Sequence, residues 1–339
     1  MKKQVFTAIA LVCASLPVLA DVETVTDPVS GLTFQVTTSG TSVTSVVFSG
    51  GTIPADGVVD IPSSITYNGQ TVDVTGISSD LNTLNPSYKT TVTSLVVPST
   101  VTSIGSGLFA GYSVLKDVDI QGDAAIGSGA FSGCTELSSV TLSPDMTSVP
   151  DSCFMNCTAL TEITLPSSLQ TIGTSAFSGA GLTEVTIPGN VSDVGDYAFQ
   201  NCPLISLVIL GDSSSPVPTD LGNYAFSTAT LEKVICYRPV PPVLYGTGTT
   251  FKMSTYQDAY LQLLGDAQAH ISDYEADKYW GWFGQNKPIY TGISVTESDA
   301  TMQCEVYDLS GRVVMKTQSQ SLSGLPRGIY VVNGRKVAI

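Results

Sequence analysis

Basic residues and histidine are scarce in this sequence. It contains 14 lysines and arginines against 29 aspartates and glutamates, one histidine, and a formal net charge of −15. A chain of this charge repels the phosphates of nucleic acids and anionic lipids, so we expect no nucleic-acid partner. The single histidine, His270, lies far from any nucleophile motif, which argues against Ser–His and Cys–His catalysis.

Motifs for catalysis and for phosphate binding are also missing. The sequence has no G-x-S-x-G elbow, no H-E-x-x-H helix and no phosphate loop. We therefore predict no enzyme activity, no cofactor and no metal. One alternative is a calcium site at Asp117, Asp119 and Asp123, although these lack the glycine and final glutamate of an EF-hand loop. Another is a hydrolase that uses two carboxylates, since any two acids can meet in space.

Long apolar stretches are confined to the start of the chain. Residues 1–20, MKKQVFTAIALVCASLPVLA, combine two lysines, an apolar stretch and small residues before Asp21, which is typical of a cleaved secretory signal. A lipoprotein signal ending at Cys13 is the alternative, although bulky Val12 stands where such signals carry a small residue. Beyond Asp21 no run reaches the ~20 apolar residues that cross a bilayer. The sequence predicts an exported protein, extracellular or at the outer cell surface, without a membrane span.

In place of these features, the sequence contains a repeat of 22 to 23 residues. An Ala-Phe motif or its equivalent recurs at Phe109, Phe131, Phe154, Phe177, Phe199 and, more loosely, Phe226. A second apolar residue recurs in step, at Leu95, Val118, Val140, Ile163, Val185, Val208 and Val234. A unit this small cannot bury its own apolar side, so the units must stack. The predicted fold is mainly β, a solenoid whose turns each add a short strand to one long parallel sheet.

One unit, LTEITLPSSLQTIGTSAFSGAG at residues 160–181, shows how a turn is built. Ile163 and Leu165 alternate as in a strand, Pro166 ends the pairing, and Gly173 permits a bend. The strand L-x-x-[VI]-x-[LI]-P and the turn I-G-x-x-A-F-x-x-C resemble the BspA-like class of leucine-rich repeats, found on the surfaces of anaerobic and host-associated microbes. The resemblance spans about residues 31–290. It implies binding to host or bacterial surface macromolecules.

The resemblance also suggests how the chain is divided. We expect a signal peptide (1–20), an N-terminal β cap (21–90), a leucine-rich-repeat solenoid (91–238), a C-terminal cap with a helix (239–290) and a C-terminal β-module (291–339). Within the N-terminal cap, Tyr67-Asn68-Gly69 signals a hairpin. The final module resembles the sorting domain used in type IX secretion, and a small accessory β-module of the same ancestry is the alternative.

Three cysteines follow the repeat phenylalanines at a fixed offset. Cys134, Cys157 and Cys202 each lie three residues after their phenylalanine, which predicts a ladder of small buried thiols. A disulfide between the neighbouring turns at Cys134 and Cys157 is the alternative, because stacked turns come near to the required Cα spacing.

The outward-facing strand positions form the predicted ligand-binding face, because repeat proteins bind through the surface that their sheet presents. Alternation selects Asp117, Asp119, Ser139, Thr141, Glu162, Thr164, Glu184, Thr186, Leu207, Ile209, Lys233 and Ile235. The aliphatic members, Leu207, Ile209 and Ile235, form either an exposed patch typical of an interface or a surface covered by the C-terminal cap.

Aromatic residues are concentrated near the end of the repeats, at Tyr279, Trp280, Trp282 and Phe283. We favour an aromatic plug that closes the solenoid, with stacking on sugar rings as the alternative. The expected function is adhesion, through a protein or glycan ligand on host or bacterial surfaces. A glycan-binding protein is the second possibility and a hydrolase that uses paired carboxylates the third. The sequence does not separate an adhesin from a passive coat component, and it predicts no oligomeric state.

Overall fold

The computed structural model describes residues 20–211, 219–227, 230–244, 249–283, 289–291, 304–308, 313–317, 329–332 and 335–338. The expected signal peptide, with Cys13, lies outside these ranges apart from Ala20. Within them, no helix is long and apolar enough to cross a membrane. The architecture is mainly β, with parallel strands stacked into a solenoid of about seven turns, which confirms the predicted fold class.

The N-terminal part is a β-meander followed by two short helices. Its elements are β1 (Asp21–Thr26), β2 (Leu32–Ser39), β3 (Ser42–Gly51), β4 (Val58–Asp60), β5 (Ser64–Tyr67), β6 (Gln70–Asp73), β7 (Gly76–Ile77), α1 (Leu81–Leu84) and α2 (Tyr88–Thr91). Strands β1, β2 and β3 are antiparallel, and β7 joins β3 in parallel. Alternate residues of β2, Leu32, Phe34 and Val36, are buried, because successive side chains of a strand point to opposite faces.

The predicted hairpin connects β5 to β6, which pair antiparallel. Its turn residues, Asn68 (φ 49°) and Gly69 (φ 77°), both adopt the left-handed backbone that a two-residue hairpin turn requires.

The solenoid alternates strands of three or four residues with strands of two residues. In chain order they are β8 (Ser94–Val97), β9 (Ser103–Ile104), β10 (Asp117–Ile120), β11 (Ala125–Ile126), β12 (Ser139–Thr141), β13 (Ser148–Val149), β14 (Thr171–Ile172), β15 (Glu184–Ile187), β16 (Asp193–Val194), β17 (Ser206–Ile209), β18 (Asp220–Leu221), β19 (Lys233–Cys236) and β20 (Val243–Leu244). The longer strands pair in parallel as β4-β8-β10-β12 and again from β15 through β17 to β19. The two-residue strands pair as β9-β11 and as β13-β14-β16-β18-β20.

The repeat phenylalanines stack into one continuous buried column. Successive rings lie 5.2 to 5.7 Å apart between centroids, with interplanar angles of 6° to 16°. Each amide in the column donates to the next turn, as from Phe177 N to the Ala198 carbonyl oxygen at 2.8 Å. Phe251 extends the column beyond Phe226 as a seventh ring, which the spacing of the sequence did not reveal. Aromatic stacking and main-chain bonds therefore hold each turn to its neighbours.

The repeat glycines allow adjacent turns to approach closely. A Cβ atom on Gly173 would lie 2.5 Å from the amide nitrogen of Asp151, and one on Gly195 would lie 2.6 Å from that of Thr174. Gly173 was expected to supply backbone freedom for a bend. The left-handed residue of that turn is instead Ser175 (φ 55°), and Gly173 is required because no side chain fits between the turns.

The cysteine ladder is buried, and its thiols are free. Cys134 Sγ donates to the Phe109 carbonyl oxygen (3.2 Å), Cys157 Sγ to that of Phe131 (3.3 Å) and Cys202 Sγ to that of Phe177 (3.0 Å). Each of the five cysteines that the structure describes with its side chain is a free thiol, so the alternative disulfide between Cys134 and Cys157 is not formed. The ladder position suits cysteine because its thiol satisfies a carbonyl of the preceding turn.

The coil continues past residue 238, where the solenoid was expected to end. The following elements are α3 (Met253–Asp258), β21 (Tyr260–Leu263), a 3₁₀-helix (Gly265–His270), α4 (Ile271–Ala276), a second 3₁₀-helix (Trp280–Trp282) and β22 (Tyr290–Thr291). Strand β21 pairs in parallel with β19, and β22 pairs with β21. The parallel sheet thus extends through the segment that also contains the expected helices.

Aromatic rings close the end of the phenylalanine column. Tyr256, Trp280 and Phe283 meet Phe251 edge to face, at centroid distances of 5.6 to 5.9 Å. Trp280 is fully buried, and its Nε1 donates to the Pro242 carbonyl oxygen at 2.6 Å. A buried ring cannot stack on a sugar, so this cluster is a plug, and glycan binding through Trp280 is ruled out.

The last strands are β23 (Cys304–Asp308), β24 (Val313–Thr317), β25 (Ile329–Val332) and β26 (Arg335–Ala338). They form an antiparallel sheet in the order β24-β23-β25-β26. The connecting residues of this module, with much of its expected hairpin sequence, lie outside the described ranges.

Removing one ring from the middle of the column should destabilise the whole solenoid. Phe177→Ala loses the contacts of Phe177 with Phe154 and Phe199 and leaves a cavity in a close-packed core, which costs about 3–5 kcal/mol. Urea denaturation followed by circular dichroism measures the loss. The control is Tyr260→Ala at an exposed position, where a change within about 0.5 kcal/mol is expected. Equal effects of the two substitutions would contradict the structural role of the column.

The ladder thiols should resist modification in the folded protein. Burial raises the pKa of Cys134 to about 11 and that of Cys202 to about 12, so both remain protonated as well as inaccessible. Maleimide labelling without reductant, followed by peptide mass analysis, should find Cys134, Cys157 and Cys202 unmodified in buffer. The same three residues should be modified when the protein is unfolded in urea. Thiols that react in urea only after reduction would reveal a disulfide.

Candidate ligand-binding face of the sheet

The outward positions of the longer strands form two rows along the sheet. The first row, read from the register, is Val58, Ser94, Asp117 and Ser139, then Glu184, Ser206, Lys233 and Tyr260. The second row is Asp60, Val96, Asp119 and Thr141, then Thr186, Val208, Ile235 and Gln262. Glu162 and Thr164 belong to the turn between the two halves of each row. The rows contain eight of the residues that alternation selected, and Glu162 and Thr164 lie between their halves.

The expectation that Leu207 and Ile209 face outward is wrong. Leu207 pairs with Val185 and Ile209 with Ile187, both inward residues, and both Leu207 and Ile209 are fully buried. The sequence alignment made Val208 the equivalent of Val185, but the residue that pairs with Val185 is Leu207, one position earlier. This shift of one residue moves every side chain of the strand to the other face. The outward residues of β17 are therefore Ser206 and Val208.

Ile235 occupies an outward position but is only 1% exposed. It lies between half-buried Val208 and Gln262, which is 8% exposed. The C-terminal end of the second row is therefore covered, and Leu207, Ile209 and Ile235 form no exposed aliphatic patch. Lys233, the other predicted residue of this strand, is half-buried.

The open part of the face is acidic. Its outward carboxylates are Asp60, Asp117, Asp119, Glu162 and Glu184, and the two rows hold Lys233 as their basic residue. Beside them Lys116 pairs with Glu136 at 3.9 Å, but both side chains are more than half exposed, so this pair contributes little. A face of this kind attracts cationic groups.

The sheet is interrupted in the middle of this face. The longer strands form one ladder that ends at β12 and another that begins at β15, and residues 161–165 join neither of them. The sequence predicted a strand here, because Ile163 and Leu165 alternate. At the first residue of this segment, the Thr161 carbonyl oxygen accepts a hydrogen bond from the Thr183 amide at 3.2 Å. The strands β12 and β15 are thus the end strands of two separate ladders.

A groove of about 580 Å³ opens at the interruption. Five of the predicted residues line it, namely Ser139, Glu162, Thr164, Glu184 and Thr186. Its floor includes half-buried Val140 and Ile163, and Leu210, which is 37% exposed, lines one side. The other predicted residues that face outward, Asp117, Asp119, Thr141, Lys233 and Ile235, lie on the sheet outside the groove. No pattern in the sequence indicated Leu210 as a lining residue.

No arrangement for a metal was found among the residues that the structure describes, where no three His, Cys, Asp or Glu side chains are grouped suitably. Of the alternative calcium residues, Asp119 accepts a hydrogen bond from Gln121 Nε2 at 3.1 Å. His270 lies in the C-terminal segment, where its Nδ1 is 2.9 Å from Asp273 Oδ2 at an exposed position.

A second acidic group lies on the ladder of two-residue strands. Asp193 of β16 pairs directly with Asp220 of β18. Burial, followed by the charges of Asp220 and Asp196, raises the pKa of Asp193. Like charges placed opposite each other on neighbouring strands destabilise a sheet, so this pair opposes folding when it is ionised.

Asp193→Asn should therefore stabilise the protein at neutral pH. The raised pKa means that the folded state binds the proton more tightly than the unfolded state, so wild-type stability increases as the pH falls through the folded pKa. Thermal unfolding at pH 7.5 should show a higher Tm for the variant, and the difference should shrink towards pH 4. Asp117→Asn, whose ladder partners are serines, is the control and should show no such trend. A constant difference at both pH values would disprove the charge explanation.

Comparison with known proteins agrees with this architecture. The profile of the family described as BspA type leucine-rich repeat region matches residues 87–206 in six copies. A comparison with curated proteins finds no match.

Solved structures with similarity include three leucine-rich-repeat proteins. The T. pallidum leucine-rich-repeat protein is 27% identical over 43% of this chain and 73% of its own, with a TM-score of 0.36. A leucine-rich cell surface protein of Faecalibacterium prausnitzii is 21% identical over 72% and 85%, with a TM-score of 0.41. A leucine-rich-repeat protein of Bacteroides ovatus is 20% identical over 72% and 79%, with a TM-score of 0.30.

The fold and the sheet face define a leucine-rich-repeat solenoid. More particularly, residues 87–206 are similar to the BspA type of leucine-rich repeat.

Proposed function

We propose that this protein is exported to the cell surface, where it binds a protein partner through the acidic sheet face. The observation that carries the proposal is the position of the groove. The ladder is interrupted where outward carboxylates and threonines of two consecutive turns meet Ser139 of the turn before them, and the interruption leaves an open groove of about 580 Å³. Leucine-rich-repeat proteins generally bind protein ligands, and the match over residues 87–206 supports the same role here.

The chemistry of the groove favours a basic, extended segment of the partner. Glu162 and Glu184 attract lysine and arginine side chains, while Thr164 and Thr186 supply hydroxyl groups that donate and accept hydrogen bonds. Residues 161–165, which lie between β12 and β15 without joining either ladder, carry main-chain donors and acceptors with which an extended segment can pair. Half-buried Val140 and Ile163 offer apolar contact between these polar groups.

Export and surface location are further parts of the proposal. The basic and apolar pattern of residues 1–20 supports export, and the BspA-like repeat supports adhesion as the biological outcome. We propose that residues 21–90 and 239–290 close the two ends of the solenoid, with β4 and β21 joining its parallel sheet, and that 291–339 is a module resembling a type IX sorting domain. The antiparallel sheet of β23 to β26 is compatible with that module.

Charge reversal in the groove tests the proposed face. We expect the full chain to bind at least one basic member of an array of extracellular matrix proteins, and the affinity to fall with added salt. In the double variant Glu162→Lys/Glu184→Lys the affinity should fall about tenfold or more, because two attractive charges become repulsive. Surface plasmon resonance measures both effects.

The matched control is Asp73→Lys/Glu275→Lys, which makes the same change in net charge at exposed acids that do not line the groove. It should bind as the wild type does. Equal losses in the two double variants would show that net charge alone drives binding. Binding to glycans with none to proteins would contradict the proposed partner class.

A further inference from the structure

Two tyrosines in adjacent turns present their rings to solvent as a stacked pair. Tyr197 and Tyr224 lie with ring centroids 5.4 Å apart and an interplanar angle of 5°. They are 37% and 40% exposed, whereas the phenylalanines two residues later, Phe199 and Phe226, are fully buried. The tyrosine rings are therefore not part of the core, and the core does not explain their presence.

The backbone of both tyrosines is left-handed, which is uncommon for a bulky residue. Tyr197 has φ 60° and Tyr224 has φ 57°. Earlier turns fill the same position with small residues, Gly107, Gly129, Ser152 and Ser175, which are also left-handed. The turn needs only the amide of this residue, which donates to the next turn, as from Tyr197 N to the Asn223 carbonyl oxygen at 2.9 Å. Tyrosine thus adds an exposed ring where serine already satisfies the turn.

One face of the Tyr197 ring is open to a ligand. Tyr224 stacks on one side, and the preceding turn has Ser175 at the equivalent position. Since equivalent rings in the column stack at 5.2 to 5.7 Å, a flat group placed over Ser175 would meet the Tyr197 ring at a stacking distance. Because serine is small, the space above Ser175 is unfilled. The Tyr197–Tyr224 pair therefore forms a step, where two rings follow the small residues that occupy the same position in the earlier turns.

The surroundings of the step are polar and acidic. The residues just before the left-handed position in three successive turns are Asp151, Thr174 and Asp196. Asp151 Oδ1 accepts from the Thr174 amide at 2.7 Å and Asp196 Oδ1 from the Asn223 amide at 2.6 Å, so both carboxylates are held in place. Carboxylates of this kind repel an anionic ligand and accept hydrogen bonds from hydroxyl groups.

From this geometry we propose that Tyr197 and Tyr224 form a binding platform for a neutral sugar, with one pyranose ring stacked on Tyr197 above Ser175. A pyranose has an apolar face for the tyrosine and hydroxyl groups at its edge for Asp151, Thr174 and Ser175. An aromatic side chain from a protein would stack equally well, but it would leave these polar groups without new partners. The platform follows β16 in the coil and is separate from the groove between β12 and β15, so it does not depend on the proposed protein binding.

Calorimetric titration of the full chain with neutral oligosaccharides, including cellohexaose and chitohexaose, tests the platform. An oligogalacturonate of similar length serves as the anionic probe. We expect at least one neutral oligosaccharide to bind saturably and the anionic probe to bind at least about tenfold more weakly. Failure of every neutral oligosaccharide to bind, or equal binding of the anionic probe, would overturn the proposal.

Substitutions locate the site on the ring. Tyr197→Ser should weaken binding about tenfold or more, because it removes the stacking surface, and Tyr197→Phe should retain most of the affinity. Serine already occupies this left-handed position in two other turns, at Ser152 and Ser175, so the Tyr197→Ser variant should fold with a Tm near that of the wild type. Tyr260→Ser, at an exposed tyrosine of the sheet face, is the matched control and should bind normally. Unchanged affinity in Tyr197→Ser would refute the platform.

Discussion

The stacking of phenylalanines along the interior sets the spacing that the rest of the solenoid follows. Each ring contacts the rings above and below it, and each amide in the column is hydrogen-bonded to the next turn. Other repeated groups match this spacing: the Cys157 thiol reaches the carbonyl of Phe131, and Gly173 admits the backbone of the turn before it. The column has aromatic ends, with Tyr112 edge to face on Phe109 and the Trp280 cluster on Phe251. The solenoid is thus closed by the same kind of contact that builds it.

Prediction from the sequence succeeded where turns are nearly identical and failed where they differ. Equal spacing revealed the column from Phe109 to Phe199, but Phe251 lies in a turn whose neighbouring residues do not match the repeat. In β17 four aliphatic residues, 207 to 210, follow one another, so alternation carries no information about which of them face inward. The interruption at residues 161–165 could not be predicted either, because Glu162 and its neighbours have the same pattern as the paired strand that contains Glu184. Whether two main chains pair depends on the relative position of neighbouring turns, and the residue types of a strand do not reveal that position.

Outward residues are not part of the phenylalanine column, and this separates the fold from the surface. Replacing Thr164 or Tyr197 alters what the solenoid presents without altering the contacts of the column. The same scaffold therefore carries two unlike surfaces, an acidic groove at the interrupted sheet and an aromatic step on the turns. Repeat proteins use this freedom widely, which is why the fold alone does not define a ligand.

The free thiols of the ladder have a mechanical consequence. Cys134, Cys157 and Cys202 hold neighbouring turns through thiol-to-carbonyl hydrogen bonds, and the described cysteines form no covalent cross-link. Each turn contacts mainly the turn on either side, so a pull on one end of the coil loads one interface at a time. Under tension between two attached surfaces, the solenoid would unwind turn by turn from an end and rewind when the load falls. A disulfide between two turns would instead have prevented those turns from separating under load.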